Sequence, residues 1–242
     1  LTEEFPKVSH YVSMLSIDNT YSYEDLVDFD DRLQRLLDND SFKYVCEHKI
    51  DGVSINLIYE NGRLIHAATR GDGEIGDDVL TNIKTIPYIP LNIETEGIQE
   101  IRGEVYIDLR DFERINQNRI ANGEDEFANP RNLTAGTLKL QDPQEVAERK
   151  LNIFFYAVGR MDNAEVSSQN ELMKWLKKHG FRINPHYKMV DNIEEVWDYC
   201  NYWEDKKDSL NYLIDGIVIK LNNFDFQKQV GYTMKNPRWS IA

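Results

Sequence analysis

Apolar positions along the chain switch between two periods, and the switches outline its elements. In 21–37, YSYEDLVDFDDRLQRLL, Leu26, Phe29, Leu33, Leu36 and Leu37 fall at helical spacing, with Ser22 and Asp25 as the N-terminal cap pair. In 41–49 the period becomes two: Phe42, Tyr44 and Cys46 alternate with Lys43, Val45 and Glu47, as in a strand. Two further alternating runs meet at Asn61-Gly62, a pair suited to a type I′ hairpin because both central residues need positive φ. Residues 101–107 read as a strand. Residues 108–123 read as a helix capped by Asp108, striped by Leu109, Phe112, Ile115 and Ile120, and stopped by Gly123. FANPRNLTAGTLKLQDP reads as a loop with a helical turn. A buried strand follows at 151–159. Helices are predicted at 167–180, with a capping box from Ser168 to Glu171, and at 192–207; a last strand falls at 213–222. Strands and helices do not alternate regularly, so the pattern predicts an α+β domain with mainly antiparallel sheets.

The chain has 242 residues, 41% of them hydrophobic, enough for one large domain, or a domain with an appendage, around a full core. Its net charge of −14 argues against a stand-alone nucleic-acid binder but leaves room for a local basic cleft. The only cysteines, Cys46 and Cys200, are far apart and form no CxxC, which points to a reducing compartment and no zinc site. No apolar run reaches the roughly 20 residues needed to span a bilayer. The chain starts without Met and stops after PRWSIA, so it is expected to be part of a longer protein.

Candidate chemistry centres on Lys49, which sits between Glu47 and Asp51 where a strand ends. An amine attacks only when neutral, and burial or a second cation favours that form. Lys49 therefore reads either as a nucleophile beside Lys220 or as a surface charge paired with Glu47 or Asp51. TRGDGEIGDD (69–78) reads either as a phosphate cradle with Arg70 or as a tight turn held by aspartates. Glu104 lies within an apolar strand, facing solvent or a polar cleft. Arg131 follows Asn-Pro in the predicted loop, and Tyr156 reads as core. KIDGVSI (49–55) and LIDGIVIK (213–220) echo each other, and each sets a lysine beside a strand. The histidines show no metal-binding spacing, and P-loop, Rossmann and GxSxG patterns are absent.

EHKIDG resembles the Lys-x-Asp-Gly signature of the covalent nucleotidyltransferases. ATRGDGEIGDDVLTN, IRGEVYI, FANPRNLTAGTLKLQDP, FFYAVG, IDGIVIK and PRWSIA follow in matching order. The TRGDG and NPRN-x-x-AG wording is similar to that of the NAD-dependent bacterial DNA ligases, over essentially the whole chain. The resemblance implies a nucleotidyltransferase (ATP-grasp-like ligase adenylation) fold over 1–242. Lys49 would attack the α-phosphate of NAD to form lysyl-AMP. Asp51 would lie beside the nucleophile, and Lys220 at the phosphate end of the pocket. Glu47 would accept from the adenine amino group while Tyr156 stacks on the base. Ser16 and Ile17 would close over the nucleotide, Glu104 would lie near the ribose and a metal, and Arg70 and Arg131 near ribose and phosphate. Val218, two before Lys220, would share its cleft face.

The same resemblance implies Mg²⁺ or Mn²⁺ as cofactor and zinc only in a domain outside this chain. It implies nicked duplex DNA as the partner of the longer enzyme, a monomer, and a bacterial cytoplasmic, nucleoid-associated location. It also implies an N-terminal region for the nicotinamide side and C-terminal DNA-clamping domains beyond this chain, and hence slow adenylation from NAD by the chain alone.

Overall fold

A computed structural model describes residues 4–242. In chain order these residues form β1 (Lys7–Ser9), α1 (Tyr23–Leu37), β2 (Tyr44–Ile50), β3 (Val53–Glu60), β4 (Arg63–Thr69), β5 (Ile75–Asp77), α2 (Leu80–Ile83) and β6 (Ile98–Tyr106). Then come α3 (Leu109–Ala121), α4 (Pro130–Leu138), α5 (Pro143–Glu148), β7 (Asn152–Met161), α6 (Gln169–Lys178), β8 (Lys188–Val190), α7 (Ile193–Lys206), β9 (Ile214–Leu221), α8 (Phe224–Val230) and β10 (Ser240–Ile241).

Two four-stranded antiparallel sheets carry the architecture. One has the order β10-β9-β2-β8, the other β4-β3-β6-β7, and β1 pairs with β5 in a small third sheet. The chain crosses between the large sheets within two residues, Asp51 and Gly52, so Lys49 stands at the end of β2 where the sheets meet. Alternation explains what each face of β2 does. Tyr44 and Cys46 pack into a core with Leu26, Phe29 and Leu33 of α1 and Val196 and Trp203 of α7, whereas Glu47 and Lys49 face the cleft. The second sheet packs on its own core, in which Ile55, Leu57, Ile101 and Phe155 meet Leu133 of α4 and Leu172 of α6. Ile50, Tyr106, Phe154 and Tyr212 form a smaller cluster of their own.

Gly52 makes the crossover fit. A Cβ there would stand 2.2 Å from the Val105 carbonyl oxygen and 3.0 Å from Glu104 Cγ. Overpacking of this kind forces the backbone to move, so Gly52→Ala is expected to cost about 1–3 kcal/mol. The urea midpoint is the measure; an unchanged midpoint would show that the strands part easily.

The cap of α1 is as predicted: Ser22 Oγ accepts from the Asp25 amide, and the Asp25 carboxylate accepts from the Ser22 amide. The hairpin between β3 and β4 has φ of 47° at Asn61 and 78° at Gly62. Elsewhere the expectations need correction. FANPRNLTAGTLKLQDP holds the whole of α4 and ends on Pro143, the first residue of α5; each helix has Pro at its start and an Asn or Asp side chain capping it. Pro fixes a helical φ without needing its missing N–H there, so Pro and Gly punctuation misread as loop. Asp108 precedes α3 without a side-chain cap bond, and Ile120 is exposed because it lies on the solvent side of α3. Ser168 caps α6, but the Glu171 carboxylate returns to Ser167 rather than to Ser168. Among the described residues no helix is long and apolar enough to cross a membrane.

Candidate active site

A cavity of about 300 Å³ is lined by Ser16, Ile17, Glu47, Lys49, Ser54, Arg70, Glu104, Arg131, Tyr156, Val218 and Lys220, among others. β2 supplies Glu47 and Lys49; β9 supplies Val218 and Lys220. Their register sets Glu47 opposite Val218, and alternation turns Lys220 onto the same face. β6 supplies Glu104, directly opposite Ser54 of β3, and β7 supplies Tyr156. Every site residue expected from the sequence lines this cavity except Asp51.

Lys49 Nζ lies 2.8 Å from both carboxylate oxygens of Asp215. The sequence reading set Lys220 or a flanking acid against Lys49; the geometry sets Asp215 there instead. Asp51 pairs at 3.7 Å with Arg131, whose side chain is largely exposed. Arg131 belongs to the first turn of α4, not to a loop.

Lys220 is engaged deeper in. Its Nζ lies 2.6 Å from Glu47, donates to the Tyr156 carbonyl at 3.1 Å, and sits 5.1 Å from the Tyr156 ring centre. Both partners of the Lys220–Glu47 pair are about nineteen-twentieths buried. Burial raises the Glu47 carboxyl above its ordinary range, against the opposing pull of the Lys220 ammonium. Gln169, at the start of α6, donates to the Tyr156 carbonyl at 2.8 Å and reaches both Glu47 oxygens at 3.4 Å.

Glu104 accepts from Ser54 Oγ at 2.9 Å and from Tyr156 Oη at 3.4 Å. No cation comes within salt-bridge distance of it among the described residues. Burial pushes its carboxyl up to about 7. The folded state thus holds this proton between about pH 4.5 and 7, where the unfolded chain has lost it. That advantage disappears as pH rises through 7, leaving a buried carboxylate. Glu104→Gln is therefore expected to raise stability at pH 8 by roughly 1–3 kcal/mol and to leave it unchanged near pH 4. Paired urea titrations at the two pH values check this; equal effects at both would contradict it.

The N-terminal segment is fixed over the cavity mouth. Arg70 donates to Ser16 Oγ at 2.8 Å and to the Met14 carbonyl at 3.3 Å. Arg102 donates to the carbonyls of Val12 and Ser13. Buried Glu100 accepts from the amides of Tyr11, Val12 and Arg160 and from Asn56 Nδ2. The rest of TRGDGEIGDD is a tight turn that leads into β5. Asp72 accepts from the amides of Glu74 and Ile75, and the Gly73 amide returns to the Arg70 carbonyl. Those amides are spent within the turn, so Arg70 is what the segment contributes to the cavity.

Asp215, Gln169 and Ser54 had not been singled out in the sequence. Gln169 and Ser54 carry no motif. Asp215 had a signal, the Ile-Asp-Gly echo: the two copies lie on paired strands, with Ile50 opposite Ile214.

Two antiparallel sheets thus meet over a cavity that holds a lysine, a buried Lys–Glu pair and an aromatic. The fold is shared with a solved archaeal ATP-dependent RNA ligase, at a TM-score of 0.50 and 11% identity over 88% of this chain and 46% of that one. The chain belongs to the NAD-dependent DNA ligase adenylation domain family, whose model matches residues 2–242. It is 48% identical to a DNA ligase of Halalkalibacterium halodurans, over 98% of this chain and 35% of that protein. It is 45% identical to one of Carboxydothermus hydrogenoformans, over 100% of this chain and 37% of that protein. The chain thus spans little more than a third of the length of these relatives.

Proposed function

We propose that this domain takes up AMP from NAD onto Lys49, as the first step of DNA nick sealing by a longer ligase. The observation that carries the reading is Lys49, whose amine ends in the cavity against both oxygens of Asp215. Asp215 can hold the amine in place and receive its proton. The amine nitrogen then forms a bond to the α-phosphorus of NAD, and the bond to the bridging oxygen breaks. Nicotinamide mononucleotide leaves with that electron pair on its phosphate.

The cavity residues divide the remaining work. Tyr156, Ile17 and Val218 offer apolar surface to adenine, and Glu47 an acceptor for its amino group. Lys220, Arg70 and Arg131 offset charge at the phosphate; Arg131 adds the N-terminal end of α4 to its own charge. Ser16 closes the near side. Glu104, with Ser54 beside it, faces the ribose.

Glu104 also bears on Mg²⁺. No cluster of three or more His, Cys, Asp or Glu side chains able to hold a metal exists among the described residues. One carboxylate is nevertheless what Mg²⁺ commonly takes from a protein when nucleotide phosphates and water fill its other positions. Bound there, the ion would offset charge on the phosphate. In the longer enzyme, AMP would pass from Lys49 to a 5′-phosphate at a nick, and attack by the 3′-hydroxyl would release it.

Incubation of a full-length ligase carrying this domain with NAD, and separately with ATP, followed by intact-mass measurement tests the reading. One added AMP from NAD and none from ATP is expected. An adduct from ATP alone would favour an ATP-using enzyme, and adenosine binding with no adduct from either would favour a non-catalytic nucleotide-binding module.

A further inference from the structure

The side chains of β2 that alternate with Glu47 and Lys49 carry a second arrangement, immediately behind the nucleophile, with His48 also bordering the cavity. His48 is buried, and its Nδ1 lies 2.9 Å from Tyr212 Oη. Asn184 Nδ2 donates to that same phenol oxygen at 2.8 Å. A phenol proton given to His48 Nδ1 puts the imidazole proton on Nε2, which is buried with no hydrogen-bond partner among the described residues. Burial, reinforced by the neighbouring His186, pushes His48 down to about 4, so the ring is neutral at ordinary pH. The imidazole is wedged edge-on against Trp203, with centroids 4.1 Å apart, and stacked on His186 at 5.2 Å.

This chain of bonds joins the strands where their pairing is irregular. From His48 to Ile50, β2 advances two residues; opposite it, from Ile217 to Ile214, β9 advances three. The extra residue falls at Asp215-Gly216, opposite Lys49, where Gly216 has φ of 150°. Such a bulge redirects one side chain, and here the redirected side chain is Asp215. Ladder bonds alone do not fix a bulge, because the same strands can pair with the extra residue shifted by one. Tyr212 stands three residues before Asp215. Its ring is held by Tyr106 at 5.4 Å and Phe154 at 5.5 Å, and the next carbonyl, Leu213, accepts the Asp51 amide at 2.9 Å. The start of β9 is thus tied to residues on both sides of Lys49.

We propose that His48 is a positioning residue for Lys49: its bond to Tyr212 fixes the β9 bulge that presents Asp215 to the amine. The proposal rests on Lys49 as the AMP acceptor, and it assigns a task to a histidine whose ring is packed between Tyr212, His186 and Trp203. Loss of the bond lets Asp215 drift while the nucleotide-facing walls stay in place. The cost falls on the rate of AMP transfer and not on NAD affinity.

Single-turnover adenylation in a full-length ligase carrying this domain tests it, with His48→Phe, Tyr212→Phe, the double variant and His48→Asn. Asparagine sets an amide near the position of Nδ1; phenylalanine keeps the packing without the bond. Both Phe variants are expected to slow AMP transfer about tenfold or more, given how steeply rates fall with misplacement. KM for NAD should stay within about twofold, the double variant should be no slower than the singles, and His48→Asn should recover most of the rate. Wild-type rates in His48→Phe or Tyr212→Phe would overturn the proposal, as would losses that multiply in the double variant or follow the folded fraction. If His48→Phe does not fold, the Tyr212→Phe result decides alone. Lys49→Ala separates the two claims: an adduct that survives it defeats the reading of the site, whereas an inert Lys49→Ala beside a fully active His48→Phe defeats only this inference.

Discussion

Lys220→Met is expected to destabilise the domain by about 3–5 kcal/mol, because it strips Glu47 of its buried cation. Glu47 is 4% exposed, and its remaining side-chain partner is Gln169, at 3.4 Å from each oxygen. Against a typical domain stability of about 5–15 kcal/mol, that is a large share of the total. Removing the charge from both sides should behave differently. Glu47→Leu combined with Lys220→Met takes away two desolvated ions together, so the double variant should recover most of the loss. Urea unfolding of the two single variants and the double gives the coupling directly; additive losses would mean the two charges are satisfied independently. The pair also bears on function. A buried Lys–Glu contact that hydrophobic residues could replace at little cost in stability makes sense where a nucleotide takes over both partners, the base claiming Glu47 and the phosphate claiming Lys220.

The second large effect is chemical. Lys49→Ala should give no covalent AMP adduct, and Lys49→Arg should give none either, although arginine preserves the charge facing Asp215. A guanidinium does not surrender its proton and so supplies no lone pair for attack on phosphorus. Asp215→Asn keeps the shape of the pair but loses the proton acceptor, and should slow adduct formation on the order of 10²-fold or more. Time-resolved adduct formation from NAD distinguishes the three variants. Full-rate transfer in Asp215→Asn would return the role of proton acceptor to another group.

Local signals carried much of this architecture. The Ser22–Asp25 cap, the Asn61-Gly62 turn and the alternation through β2 and β9 are short-range chemistry, and each is present in the fold. The same alternation brought Glu47, Lys49, Val218 and Lys220 to one face. What periodicity left out depends on distances set across the sheets. Asp215 reaches Lys49 through a bulge, and Gln169 reaches Glu47 from the first turn of a helix in another layer. Ser54 meets Glu104 because β3 and β6 align there. The α4 and α5 helices were obscured because proline at a helix start and proline in a loop look alike in sequence. TRGDGEIGDD offered two readings from the same residues, and the hydrogen bonds within it decide for the turn.

The most direct test of the account is to find where AMP goes. A full-length ligase carrying this domain is incubated with NAD, digested, and the modified peptide located by mass spectrometry. The account predicts AMP on Lys49 alone, and no modified peptide from Lys49→Ala. AMP on any other residue, or an adduct that survives Lys49→Ala, would contradict it.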